Sequence, residues 1–177
     1  MRYQYTSQGY LNNLKNNVNS GVVTLLIINV ITFIILEFLL ITNYTWHNFI
    51  FNNLSLVPQD ISLTPTIIEK FQPWQCLTYL FLHGGLMHLF FNMLGLWFLG
   101  KDLENIWGKQ NFLKYYLTVG IGSGIITVLY NIQYVNPLDI RPIVGASGAI
   151  YGLLLAYGIL FPNHILHIYG IFPVKVK

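Results

Sequence analysis

Residues 22–41 run for twenty positions with one charge, Glu37, and three other polar side chains, Thr24, Asn29 and Thr32. Nothing else in the chain restricts its fold so strongly. A helix crosses a bilayer with roughly 17–25 mostly apolar residues, so this stretch reads as a membrane span. Residues 76–100, 112–130 and 145–161 repeat the pattern. The first of these is apolar around His83, His88 and Asn92, the second is broken by the glycines of "VGIGSG", and the third opens on "GASGAIYG". Backbone polar groups in lipid must be satisfied inside their own segment, which selects helices. The expectation is an all-α membrane protein with four spans. Composition agrees: 54% of residues are hydrophobic and 8% charged, whereas a soluble domain carries about 25% charged residues.

A net charge of +3 with scattered lysines gives no basic stripe, so no nucleic-acid partner is expected. Cys76 is the only cysteine, which rules out a disulfide within the chain and leaves it as a small buried hydrophobe. The nine basic residues orient the bundle. Arg2, Lys15, Lys101, Lys109, Lys114, Lys175 and Lys177 fall on one side, and Lys70 and Arg141 on the other. The positive-inside rule then places the N-terminus, the 101–111 link and residues 162–177 in the cytoplasm. Residues 1–21 are polar and read as a short cytoplasmic tail, with residues 22–177 as the membrane domain. The first span is too long for a signal-peptide core and lacks a small-residue cleavage site. The 42–75 link is outside and holds Trp46, Phe49, Phe51, Phe71 and Trp74, a composition that favours the membrane interface over free solution.

Polar groups inside a membrane mark function by default. His88 and Asn92 are four apart and share a helical face. In a continuous helix His83 would sit about 140° away, so the three make no compact metal face. With no H-E-x-x-H pattern and no carboxylate or cysteine cluster, neither a metal nor an organic cofactor is expected. Both spans run from outside to inside, so His83, His88 and Ser147 lie at a similar depth in the outer half. A serine with imidazole and carboxamide donors nearby is what acyl transfer requires: a hydroxyl nucleophile, a base, and fixed donors for the oxyanion. Hydrogen bonding to neighbouring helices as packing glue is the lesser alternative for His88 and Asn92 taken alone. Gly148 and Gly152 form a small-xxx-small pair for close helix approach, as do Gly120 and Gly124. Gly145 and Gly148 would in addition leave room for a substrate backbone beside Ser147, with the Ser147 N–H as a donor. Tyr151, one turn below, fits either a packing role beneath a base or an ordinary core position.

"GASG" opening a membrane helix, preceded by "HGGLMHLFFN" in an outside-to-inside helix, resembles the rhomboid intramembrane serine proteases. "PWQCLTYLFLH", "LENIWG" and "FPNHILHIYGIFPVKVK" extend the resemblance over roughly residues 54–177. It implies a rhomboid-like helix bundle and hydrolysis of peptide bonds in or near transmembrane segments of other membrane proteins. Ser147 would be the nucleophile, and His88 and Asn92 the oxyanion-stabilising pair. His83 and Glu104 would support structure, and Tyr151 would carry the catalytic histidine. The 42–75 link would be the family's membrane-embedded first loop, and a bacterial inner membrane the setting. The family core has six helices with the base histidine on the sixth, so four of six are expected here. His164 lies 17 residues beyond Ser147, about 25 Å along a helix, far outside the ~3 Å reach of a base. The base is therefore expected outside these residues, and residues 1–177 alone are expected to be inactive. A non-catalytic rhomboid-like protein that binds membrane clients is the alternative, although Ser147, His88 and Asn92 all remain.

Overall fold

The structure, a computed structural model, describes residues 20–58, 61–64, 67–69, 71–135, 141–162, 165–168 and 172–175. The expected N-terminal tail lies almost wholly outside the described residues, as does His164.

Helix α1 spans Gly21–Thr42, one residue longer at each end than its apolar run. The Ser20 hydroxyl accepts from the Val23 amide, and the Glu104 carboxylate accepts from the Gly21 and Val22 amides. The first-turn donors that a helix leaves orphaned are thus satisfied from two sides. A short helix α2, Tyr44–Leu54, follows at once, with Asn43 capping it through Trp46 N–H. Strands β1 (Ile61–Thr64) and β2 (Ile67–Glu69) form an antiparallel ribbon.

Residues 76–100 do not form one helix. Helix α3 covers only Gln75–Thr78, a 3-10 turn takes Tyr79–Phe81, and Leu82 is extended. The long helix α4 begins at Leu86 and runs to Tyr134, with Gly108 as its only non-helical residue. His83 therefore precedes the helix, and the 140° helical angle between His83 and His88 does not apply. The earlier turn ends at Phe81, the glycine pair Gly84–Gly85 bends the chain, and Gly85 stands as an N-cap without a side chain.

The expected 101–111 link is helical apart from Gly108, whose φ of 75° and ψ of 160° break the helix in a conformation open to glycine. The chain reverses there. Leu80, just ahead of α4, packs on Gly120, and the Tyr79 hydroxyl donates to the Gly120 carbonyl at 2.8 Å. The second arm thus returns to the level at which the first began.

Helix α5, Ser147–Leu160, lies against both arms. Ile150 meets Gly95, and Tyr157 donates to Asp102 at 3.1 Å, so α5 runs parallel to the first arm. Gly148 meets Ser123, Gly152 meets Val119, and Tyr115 donates to the Gly152 carbonyl at 2.9 Å, so it runs antiparallel to the second. Small residues at these crossings matter because lipid supplies no hydrophobic drive between helices; close packing must do it. The core comprises Leu96, Leu103, Phe112, Tyr116, Ala149 and Leu153, all fully buried. Cys76 is only half buried against it. Strands β3 (Ile165–Ile168) and β4 (Phe172–Lys175) form a second antiparallel ribbon after α5. The spans are all-α as expected, and the two ribbons lie outside them.

The link between α1 and α4 is held by Gln75. Its Oε1 accepts from the Val57 and Gln72 amides at 3.2 Å each, and its Nε2 donates to the Asn52 carbonyl at 3.3 Å. Thr78 and Trp74 donate to the Leu54 and Asn53 carbonyls. Trp46, Phe49 and Trp74 remain exposed on this link.

Candidate active site

Ser147 is the first residue of α5, and its side chain is exposed. Its hydroxyl has no hydrogen-bond partner among the described residues. The segment leading into it is fixed from two sides. Ile143 exchanges backbone hydrogen bonds with Leu56 at 2.9 Å, and the Gly145 amide donates to the Tyr79 carbonyl at 2.9 Å. Gly145 then turns the chain with a φ of 119°, a conformation that L side chains rarely adopt.

His88 and Asn92 converge on that turn. A Cβ built on Gly145 would lie 2.7 Å from both Cε1 and Nε2 of His88, and 3.7 Å from Nδ2 of Asn92. The Gly84 amide makes a long, 3.5 Å donation to Nδ1 of His88. An Nδ1 that accepts leaves the ring proton on Nε2, the atom that faces Gly145. Asn92 Nδ2 donates to the His88 carbonyl at 2.9 Å; a carboxamide has two N–H bonds, and the second is free to point toward the turn. The amides of Ser147, Gly148 and Ala149 are first-turn donors with no acceptor within their own helix. Two side-chain donors and a helix N-terminus therefore meet at one place. Such an end favours an anion.

The other site residues divide. His83 packs edge-to-face on His88, ring centroids 5.1 Å apart, and is only 4% exposed. It backs the His88 ring. Gly148 does not open room for a substrate: its missing side chain is replaced by Ser123 and the Tyr79 hydroxyl of the packed core. Tyr151, one turn along from Ser147, is 73% exposed. Ser147 and Tyr151 thus share an open face of α5. Glu104 lies at the other end of the bundle, on the α1 N-terminus. Among the described residues no three His, Cys, Asp or Glu side chains are grouped as metal ligands. His167 stands on β3, beyond the far end of α5.

Two contributors were not singled out from the sequence. Tyr79 holds Gly145 through its carbonyl and Gly120 through its hydroxyl. Ser123 fills the space beside Gly148. Tyr79 sat inside an apparently uniform span, and its role depends on the break in that span. Ser123, in "VGIGSG", looked like one more small packing residue.

Comparison with known proteins bears on the same region. The Rhomboid domain family model matches residues 70–176, more than half of the chain. The chain belongs to the rhomboid family. Over 89 residues it is 38% identical to rhomboid protease GluP of Bacillus subtilis (strain 168), covering 50% of this chain and 16% of that protein. Over 95 residues it is 38% identical to the putative rhomboid protease YdcA of the same organism, covering 52% and 45%. RHOMBOID-like protein 5 of Arabidopsis thaliana is 33% identical over 93 residues, covering 52% and 28%. The chain thus spans less than half the length of each of these relatives. No solved structure matches it at a significant level. Family membership and the two long apolar helices, α1 and α4, make this rhomboid an integral membrane protein.

Proposed function

We propose that this rhomboid is an intramembrane serine endopeptidase that cleaves transmembrane proteins in or near their spans, with Ser147 as nucleophile. The convergence of His88 Nε2 and the Asn92 amide on Gly145, two residues before Ser147, carries the reading. Acyl transfer places negative charge on the former carbonyl oxygen as the serine attacks, and donors already aimed at that oxygen need no reorganisation. His88 Nε2, Asn92 Nδ2 and the Ser147 N–H form that donor set. A packing role would not require the two polar tips to meet beside a positive-φ glycine at a helix N-terminus.

The general base then approaches across the open Ser147–Tyr151 face, where Tyr151 offers a ring for an imidazole to rest on. His88 is committed as a donor. The substrate unwinds locally before attack, since the amide of an intact helix is sterically shielded and hydrogen-bonded. The bundle lies with the α1 N-terminus and the Gly108 turn in the cytoplasm, as the basic residues of both indicate, and a bacterial inner membrane is the proposed setting.

Fluorophosphonate labelling of the full-length protein in membranes tests the reading. Labelling that Ser147→Ala abolishes, together with Ser147-dependent cleavage of a transmembrane substrate, is expected. A full-length protein that folds but neither labels nor cleaves would favour the client-binding alternative.

A further inference from the structure

Glu37 is the only charged residue of α1, and its side chain is exposed. The buried residues of α1, Val22, Leu25, Asn29, Phe33 and Leu36, form the stripe that packs into the bundle. Glu37 stands about 80° round the helix from Asn29, clear of that stripe. Val23, Ile27, Val30, Ile34, Glu37 and Ile41 follow one another at alternating intervals of four and three. This is the spacing that keeps one face of a helix against a second helix. Every member but Glu37 is β-branched, and Ile27, Val30, Ile34 and Ile41 are exposed.

Depth makes the acid costly. Helix α1 has 22 residues, about 33 Å at 1.5 Å per residue, which matches the ~30 Å hydrocarbon layer. Glu37 comes five residues before Thr42, about 8 Å from the helix end, so its backbone lies within hydrocarbon. Side chains of a helix lean toward its N-terminus, here toward the middle of the bilayer. Lysine and arginine reach the surface on long stems; the short glutamate stem does not. A charge at this depth calls for a partner. No described residue hydrogen-bonds or ion-pairs with Glu37.

Acyl chains offer no opposite charge, and they are as apolar as isoleucine, so the apolar members alone draw no helix to them. A second copy brings like to like. Both copies insert with one orientation, and a two-fold pair about this stripe sets Glu37 against Glu37. The complementary occupant is a helix with a basic side chain at the same level. The stripe is also remote from Ser147. Gly100 meets Val22 of α1 and Gly95 meets Ile150 of α5, and these two positions lie about 140° apart round α4.

We propose that the Val23–Ile41 stripe of α1 docks a transmembrane helix of another membrane protein, one that carries a lysine or arginine level with Glu37. The carboxylate pairs with that cation while Val30, Ile34 and Ile41 pack around the contact. It is an accessory surface, apart from the Ser147–Tyr151 face.

The test uses the full chain in phosphatidylcholine vesicles, with a donor dye at Thr42→Cys in a Cys76→Ala background. The probe is a synthetic leucine–alanine transmembrane peptide with an acceptor dye at its outer end and a single arginine level with Glu37. Two further peptides carry leucine or glutamate in place of the arginine. Energy transfer should show the arginine peptide binding about 5- to 30-fold more tightly than the leucine peptide, the range of a polar pair between membrane helices. Glu37→Gln should erase that preference, and Glu37→Arg should hand it to the glutamate peptide, which also shows that the variant is folded. Equal binding of the arginine and leucine peptides, or a preference that survives Glu37→Gln, would overturn the proposal and leave the stripe to lipid. Donor- and acceptor-labelled copies of the chain are also mixed without peptide. Transfer between them that Glu37→Gln alters would assign the stripe to a second copy and overturn the proposal as well.

Discussion

Glu104 offers the sharpest perturbation of the bundle. Its Oε2 accepts from the Ser20 hydroxyl at 2.6 Å and the Val22 amide at 3.0 Å, and its Oε1 accepts from the Gly21 amide at 2.5 Å. One side chain of α4 thus closes the N-terminus of α1, 83 residues away. Glu104→Ala strands three donors at once. Each such loss costs about 1–3 kcal/mol; the site is half-buried and water can reach it, so about 1 kcal/mol apiece is appropriate. Loss of a negative charge at a helix N-terminus adds about 0.3–1 kcal/mol. The expected destabilisation is about 3–4 kcal/mol. Glu104→Gln keeps one acceptor oxygen but turns an NH2 group onto amide donors, so about half that loss is expected. Unfolding in mixed dodecyl maltoside and SDS micelles, followed by tryptophan fluorescence, measures both. Asn105→Ala, exposed on the same turn, should stay within about 0.5 kcal/mol. A Glu104→Ala loss below about 1 kcal/mol, or equal losses for Ala and Gln, would refute the capping account.

Three further outcomes are expected. Gly145→Ala forces a side chain into a φ of 119° and onto the His88 ring, a strain of about 1–3 kcal/mol; serine labelling should fall far more than stability, and wild-type labelling would sever Gly145 from the site. Gln75→Ala leaves the Val57 and Gln72 amides without their acceptor, so a loss of about 2–3 kcal/mol and faster proteolysis of the 42–75 link in vesicles are expected; unchanged proteolysis would count against Gln75 as the tie. Asn92→Ala should lower turnover about 10²–10³-fold, the usual cost of one oxyanion donor, with near-native unfolding, and unchanged turnover in both Asn92→Ala and His88→Ala would undo the donor assignment.

How much of this was legible follows from which properties are local. The α1 span was readable to within a residue because its bounds are set by composition and by Ser20. The pairing of His88 with Asn92 followed from helical spacing, and their depth match with Ser147 from charge counting. The break between Leu82 and Gly85 was invisible to hydropathy, since "YLFLHGGLMH" is as apolar as a helix. Gly84 and Gly85 were the available signal. The Gly108 reversal was hidden for the opposite reason: "KDLENIWGKQ" is polar enough for a loop, yet its residues favour helix, and one glycine with positive φ is enough to turn it. Glu104's target and Tyr79's hold on Gly145 are contacts across long sequence separations, which no local pattern encodes.

The break at 82–85 is what makes the site possible. Had residues 76–100 been one straight helix, His83 would stand about 140° from His88 and could not back its ring. The extended segment instead lets His83 fold onto His88 at 5.1 Å, and brings the Gly84 amide to Nδ1. Together these fix both the plane and the tautomer of the ring whose Nε2 faces Gly145. In the 3-10 turn the carbonyl of Tyr79 accepts from the Leu82 amide at 3.2 Å, and its second lone pair accepts from the Gly145 amide at 2.9 Å and holds the turn before Ser147 in place. A buried Tyr79 then ties this assembly to Gly120 on the returning arm. On the proposed protease reading, loosening any of these four ties would let the donor ring and the serine move independently, and a loss of about 1 Å in their registration would cost about 10²-fold in rate.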